Sequence, residues 1–393
     1  MKHLLLGLFF IMTALSGAPF FQEEFSTERS AKRYNAWRLK PELAKDAKGN
    51  RCLKLSLKER SANSILSVPF RPADLAGRWV EVSVEIRGEG IAASQQPWNG
   101  AKFMLTITTP ETTLYPGCNV KTGTFDWETY TFRTRIPENA TKIDLVLGFQ
   151  DSFGTQYVRN LKLNVRGLPL DLRKVANFGF RDPVAGDGKG GWSDQGPDND
   201  ARGIPIRQNY KGFPFHVIHP SQNGGKSIVL FKSVRSPYGV REFEVDLSKG
   251  HAVGPYLYLL HTTTWGDKDL TTIGVVEVIG KNGVTRSFPI RFNQDVGGWW
   301  LPRRKTNAVP LVTWGNKACS HVGVYVSLFE LAKDFGEVAK VRFRSNGTGA
   351  TWHLLAATLT PNIYEYPADE HIVIREGKDW RPMPGRKDPG VIP

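Results

Sequence analysis

Four acidic residues in the second half of the chain, Asp267, Asp269, Glu277 and Asp295, would carry the most consequential chemistry. Two carboxyl groups about 5–10 Å apart across a cleft suffice for a glycoside hydrolase, one donating a proton to the leaving oxygen and the other serving as base or nucleophile. These are four among 38 acidic residues, and solvated loops carry acids at the same spacing. No G-x-S-x-G elbow and no reactive-cysteine signature accompany them. Catalysis therefore stands as an alternative, a glycoside hydrolase or polysaccharide lyase using these four, and no residue is assigned as catalytic outright.

Other motifs fail on their context. Gly186-Asp187-Gly188-Lys189-Gly190-Gly191 matches G-x-G-x-x-G. That fingerprint has to open a helix whose N-terminus meets pyrophosphate, and Trp192-Ser193-Asp194-Gln195-Gly196-Pro197 cannot start one. Seven of the eight histidines lie between His216 and His371. His216 and His219, three apart on an extended segment, face opposite ways and make a poor metal pair. Asp187, Asp194, Asp198 and Asp200 put oxygen ligands in one loop, and calcium is the ion they would suit. Their spacing is not that of an EF-hand, and Asp also serves turns.

The aromatic residues suggest a different chemistry. A pyranose ring presents an apolar C–H face and a rim of hydroxyls, so an aromatic plate with Asn, Gln, Asp or Arg around it satisfies both. Ser94-Gln95-Gln96-Pro97-Trp98-Asn99-Gly100 puts Trp98 on a loop, with Tyr115, Gln150 and Tyr157 as further candidates. Trp79 and Trp127 lie in strand-like runs and read as core. Trp192, Trp265, the pair Trp299-Trp300, and Trp314 lie beside Gly-rich or Asp-rich turns. Arg303-Arg304-Lys305 follows the tryptophan pair, so a cationic rim could act with the aromatic faces. The formal net charge of +14 suggests an anionic partner, a sulfated or uronic polysaccharide. Arginine pairs well with such groups.

The elements that must position these residues are strands. Runs such as Cys52-Leu53-Lys54-Leu55-Ser56-Leu57 and Val80-Glu81-Val82-Ser83-Val84-Glu85-Ile86 alternate with period two, and turn residues separate them. Helical periodicity is confined to a turn or two near Leu328–Phe335. Strands without helices bury their apolar faces against a second sheet. The expected fold is all-β, two tandem β-sandwiches of the jelly-roll, galactose-binding-like kind. Lys2 and His3 followed by the apolar run Leu4–Leu15 read as a secretory signal peptide at 1–16, giving a secreted, periplasmic or cell-surface location. The domains are expected at 20–165 and 175–362, with a linker at 166–174 and an extended Pro-rich tail at 363–393. In an oxidising compartment Cys52 and Cys118, the two cysteines of the first domain, are the pair that could form a disulfide.

Phe125-Asp126-Trp127-Glu128-Thr129-Tyr130-Thr131-Phe132 and Gly154-Thr155-Gln156-Tyr157-Val158-Arg159-Asn160-Leu161-Lys162-Leu163 carry a resemblance. Residues 20–165 resemble the jelly-roll carbohydrate-binding modules appended to bacterial cellulases and xylanases. Where the closing strand of that pattern has paired acids, this chain has Arg159 and Asn160, which weakens any calcium site the resemblance would bring. Residues 175–362 resemble the β-sandwich accessory domains found beside bacterial glycoside hydrolases, on the segments from Gly186 to Asp200, Gly212 to Ile218 and Leu354 to Leu359. The resemblance implies polysaccharide binding without catalysis, and glycoside hydrolases as partners. Nucleic acid is not expected, nor a membrane span after leader removal. The third reading is an envelope or adhesion protein.

Overall fold

In the first half, alternating residues turn one side of each strand toward a shared interior. The computed structural model describes residues 19–364 apart from 29–33, 47, 190, 207–209, 211, 249–251, 253 and 333–334. The signal peptide expected at 1–16 and all but the first two residues of the tail expected at 363–393 lie outside the described residues. The first strands are β1 (Phe21–Glu23), β2 (Asn35–Trp37), β3 (Glu42–Lys45), β4 (Arg51–Ser61), β5 (Ser64–Phe70) and β6 (Trp79–Ile91). They continue with β7 (Gly100–Thr108), β8 (Thr113–Leu114), β9 (Gly123–Arg135), β10 (Lys142–Gln150) and β11 (Ser152–Pro169).

One antiparallel sheet runs β3–β4–β11–β6–β9, with β1 also on β11; the other runs β2–β5–β10–β7–β8. Between them Leu53 and Leu55, Val80 to Ile86, Phe103 to Ile107, and Ile143 to Phe149 contribute every second side chain to one buried core. This is the first sandwich.

The second half uses β12 (Val229–Leu230), β13 (Glu242–Asp246), β14 (Tyr256–Thr264), β15 (Thr272–Gly280) and β16 (Thr285–Arg291). After them come β17 (Ala308–Trp314), β18 (Val322–Glu330), β19 (Val338–Ser345) and β20 (Thr351–Thr360). The sheet β17–β18–β14–β20 packs on β13–β19–β15–β16. Trp352 stacks on Phe231 at 4.3 Å in that interface. The opposite face of the β14 sheet is covered as well. Trp192, Phe213, Phe215 and Trp299, from the irregular segments before β12 and after β16, bury Tyr258, Leu260, Val324 and Leu355. A sheet covered on both faces needs no alternation, and β14 and β20 are buried at every position.

Residues 166–174 are not a linker. β11 continues to Pro169, and its last residues Leu168 and Pro169 pair with Leu359 and Thr358 of β20. Leu170 then donates its N–H to the Ala357 carbonyl (2.8 Å), and Leu170 and Leu172 enter the second core. The stretch Leu168-Pro169-Leu170-Asp171-Leu172 alternates, so it supplies a sandwich instead of tethering one.

Cys52 and Cys118 are thiols and form no disulfide with each other. Cys52 lies on β4, its Sγ near the Ala44 carbonyl (3.7 Å), whereas Cys118 follows β8 and bonds the backbone of Phe103 in the other sheet. Burial pushes the Cys52 thiol up, and it pushes the Cys118 thiol up to about 11. With the thiolate as the reacting species, iodoacetamide at pH 8 is expected to spare both in the native protein. Both should be labelled in denaturant without reductant, as mass spectrometry would record; a pair that stays unlabelled there would contradict the structure.

Candidate functional site

On β10, Ile143, Leu145, Leu147 and Phe149 point into the first core, so Asp144, Val146, Gly148 and Gln150 occupy the outer face of the five-stranded sheet. Register extends this face in rows. Trp37 on β2 pairs with Ile65, Ile65 with Gly148, and Gly148 with Lys102. A second row joins Pro69, Asp144 and Thr106. The pairing of Ile107 with Leu114 and of Met104 with Gly117 sets Tyr115 beside Thr106 at its far end. Gln150 pairs with Gly100, two residues past Trp98, and Lys102 Nζ donates to the Trp98 carbonyl at 2.5 Å.

The middle of this face is recessed and its rim is not. Val146 and Asp144 are 2% and 7% exposed, whereas Trp37, Trp98 and Tyr115 are 58%, 68% and 64% exposed. The face is therefore a cleft with aromatic groups at both edge strands and over one end. Four interstrand gaps of about 4.8 Å put the edges on the order of 19 Å apart. Of the residues the sequence singles out, Trp98, Tyr115 and Gln150 lie at this face; Trp37 is not among them, because its three-residue strand Asn35-Ala36-Trp37 has no period to read.

Tyr157 belongs to the other sheet, and its ring is not free. The Arg87 guanidinium lies 3.9 Å over it, and its hydroxyl donates to Glu89 (3.0 Å). Trp127, expected in the core, lies half-buried on the same outer face beneath Arg159, 4.1 Å from the ring centre. Arg159 also joins two carboxylates, Asp46 and Glu85, each at 2.7 Å, and Asn160 donates to Glu85 (2.7 Å). Burial would raise the Glu85 carboxyl, but the Asn160 and Arg159 hydrogen bonds hold it below its ordinary value. Arg133 and Arg166 share Glu81 at 2.6 and 3.0 Å. These cations are neutralised in place, which leaves this face a charge lattice and the opposite sheet the open one.

In the second sandwich Trp192 is fully buried, 4.7 Å from the His353 ring and 5.4 Å from Trp299, and so is a core residue. Trp314 is half-buried, 6.3 Å from Trp299. Trp265, Trp299 and Trp300 line a small pocket with Gln195, Thr263 and Thr264. Arg303 and Arg304 are exposed on the loop beyond Trp300.

The four acids of the catalytic alternative hold backbone and partners. Asp267 accepts from the N–H groups of Gly349 (2.7 Å) and Ala350 (3.3 Å), and Asp269 from Asn293 (2.7 Å). Glu277 pairs with Arg342 (3.0 Å); buried Asp295 accepts from Asn307 (2.6 Å) and the Arg291 N–H (2.9 Å). A Ser–His contact does occur, between Ser327 Oγ and His261 Nε2 at 2.8 Å. Its polarity is wrong for a nucleophile. His261 Nδ1 accepts from Trp352 Nε1 (3.1 Å), so Nε2 carries the proton and donates to Ser327, whose hydroxyl donates to the Asp295 carbonyl (2.6 Å). A general base must instead accept the serine proton.

The four loop aspartates do not converge as a calcium site would require. Asp187 accepts from the Lys189 N–H and Asp194 from the Gly188 N–H, Asp198 pairs with Lys317, and Asp200 binds Arg202 and the Asp182 N–H. Among the described residues no group of three metal-ligating side chains is arranged to hold an ion.

Two buried histidines, His261 and His353, and the half-buried His216 make the fold acid-sensitive. Burial lowers His216 and His353 to about 4 and His261 to about 3, below the ordinary 6.5, so the native state keeps them neutral. The unfolded chain then binds more protons at acidic pH. Their contribution is complete above about pH 6.5 and is lost as pH falls toward 4, at up to about 1.4 kcal/mol per pH unit for each. The urea midpoint should drop steeply between pH 6.5 and 4.5, and an unchanged midpoint would contradict this burial.

No protein-family model matches the chain, and no curated protein matches it. Solved structures are similar to it. The C-terminal family 22 carbohydrate binding module of Clostridium thermocellum Xyn10B is 18% identical, with a TM-score of 0.31, across 39% of this chain and 96% of that one. The N-terminal CBM22-1-CBM22-2 tandem domain of Paenibacillus barcinonensis Xyn10C is 10% identical, with a TM-score of 0.31, across 88% of this chain and 99% of that one. Its CBM22-1 xylan-binding domain alone is 13% identical, with a TM-score of 0.30, across 38% and 95%.

Proposed function

We propose that this protein is a secreted, non-catalytic polysaccharide-binding protein that lays a glycan chain along the outer face of the five-stranded sheet in its first sandwich. One observation carries the reading: a recessed floor at Val146 and Asp144 ringed by exposed Trp37, Trp98 and Tyr115. Aromatic plates cover the C–H faces of successive rings, while Gln150 and the polar floor meet hydroxyls. Of the cations near this cleft, Lys102 is engaged by the Trp98 carbonyl and Lys142 by Asp144 at 2.8 Å, while Arg38 lies 5.7 Å from the centre of the Trp37 ring. That favours a neutral chain over a sulfated or uronic one. The leader-like N-terminus supports action outside the cytoplasm, near partner enzymes or the cell surface.

Affinity gels containing neutral, sulfated or uronic polysaccharides test this, with released reducing ends measured in parallel. Retardation by a neutral polymer without release is the expected outcome. Release of sugar ends would return attention to the carboxylates of the second sandwich, and retardation by charged polymers alone would overturn the neutral assignment.

A further inference from the structure

Charged side chains hold the loop that carries Trp98. Residues 92–99 join β6 to β7 without a strand or helix, and Trp98 near their end is 68% exposed. Lys102, 8% exposed on the outer face of β7, bends back and donates from Nζ to the Trp98 carbonyl (2.5 Å). Among the described residues that carbonyl is the one hydrogen-bond partner of the ammonium, and no carboxylate pairs with it. Burial alone holds the ammonium below the ordinary lysine value. A methionine would fill the same space without the cost of drying a cation, so what the charge adds is its hold on the loop.

A second hold reaches the loop from the turn after Gln150. Asp151 is the single residue between β10 and β11, and it takes φ 49°. Its carboxylate accepts from the Gln95 N–H (3.0 Å) and from Arg60 Nη1 (3.3 Å). Arg60 also donates to the Asp151 carbonyl and, through Nη2, to the Ala93 carbonyl (2.9 Å). These bonds, the one from the Gln95 N–H most of all, keep the Asp151 carboxyl below its ordinary value. Inside the loop, the Asn99 N–H and Ser94 Oγ both donate to the Gln96 carbonyl, at 3.0 and 2.7 Å. Aspartate tolerates the left-handed region where its surroundings hold it there. One turn thus presents Gln150 to the cleft and ties down the loop that bears its aromatic wall.

Every one of these ties lands on main chain, at Ala93, Gln95 and Trp98, and leaves the indole ring exposed. We infer that Lys102 and the Asp151–Arg60 pair are positioning residues for Trp98: they preset its loop, so that the ring stands as a fixed wall at the end of the cleft before a glycan arrives. A preset plate loses less entropy on binding than a mobile one. The inference rests on the glycan-binding reading of the cleft and adds to it how that aromatic wall is made rigid.

Fluorine NMR of the full chain labelled with fluorotryptophan reads the plate directly, its signal assigned by its loss in Trp98→Phe. Asp151→Gly removes the carboxylate at a φ of 49° that suits glycine, and Lys102→Met keeps the apolar stem without the donor. In each variant the Trp98 signal should narrow and move toward its position in urea while the other tryptophan signals stay in place. Hydroxyethyl cellulose, galactomannan and mixed-linkage β-glucan serve as neutral polymers in affinity gels. Whichever of them retards the parent should be bound about three- to tenfold more weakly by either variant. In a Trp98→Ala background the same substitutions should change retardation by less than about twofold, because they act through that ring. Asp151→Asn keeps an acceptor for the Gln95 N–H and tolerates the left-handed backbone, so it should restore most of the loss. The inference fails if the Trp98 signal is unmoved in both variants. It fails equally if the losses persist undiminished without Trp98, as they would if these residues touched the glycan or only supported the sheet. If no neutral polymer retards the parent, the glycan-binding reading fails, and the fluorine signal alone upholds or overturns the positioning of Trp98.

Discussion

Replacing Trp37 and Tyr115 together by alanine is expected to weaken polysaccharide binding by about a hundredfold. Trp37 stands on one edge strand of this face and Tyr115 directly follows the other, and both are more than half exposed, so neither supports the core. Each loses the apolar contact of one plate with one ring, worth about 1–2 kcal/mol, or roughly 5- to 30-fold. Because they lie on the order of 19 Å apart, the losses should add. Each single variant should therefore give about the square root of the double effect in affinity gels, with thermal stability within a degree or two of the parent. Arg87→Lys on the opposite sheet, which opens the Tyr157 ring, should leave retardation unchanged. If that variant rather than the edge pair altered retardation, the binding face would lie on the charged sheet.

The second large effect is on folding. Gly148→Ala is expected to destabilise the first sandwich by about 3 kcal/mol or more. Gly148 has φ 120°, a conformation side chains rarely adopt, and an added Cβ would lie 2.4 Å from the Ser64 carbonyl oxygen and 2.9 Å from Leu39. Strain of about 1–3 kcal/mol is joined by a clash with backbone that cannot yield without opening the β10–β5 ladder. Gly49→Ala is the control. Gly49 also has positive φ, at 82°, but nothing lies within 4 Å of its Cβ position, so its cost should be about 1 kcal/mol. Urea denaturation of the two variants separates clash from conformation, and equal midpoints would show that β10 relaxes around the new methyl.

How far the sequence could be read follows from what each element faces. Strands with one buried face announced themselves: β4 and β6 alternate cleanly, and two tandem sandwiches followed from the absence of helices between them. Trp98 and Tyr115 were legible because turn residues surround them. The second sandwich misled for a physical reason. Its β14–β20 sheet is covered on the far side by irregular segments, which carry no period, so Trp192 and Trp299 looked like loop residues although they are core. Trp127 misled in the opposite direction, since its strand position suggested an interior that the Arg159 stack replaces.

β11 has a mechanical consequence. Eighteen residues at about 3.3 Å each make a strand on the order of 60 Å long. It is zipped to β6 from Thr155 to Gly167, to β4 over its first residues and to β20 at Leu168 and Pro169. Gly167, packed within 2.7 Å of Thr358 at an added Cβ position, leaves no slack at the crossing. A force pulling the two sandwiches apart would thus load these ladder bonds side by side, in shear, rather than being lost in a swivel. The continuous strand makes the junction between the sandwiches a strut instead of a hinge.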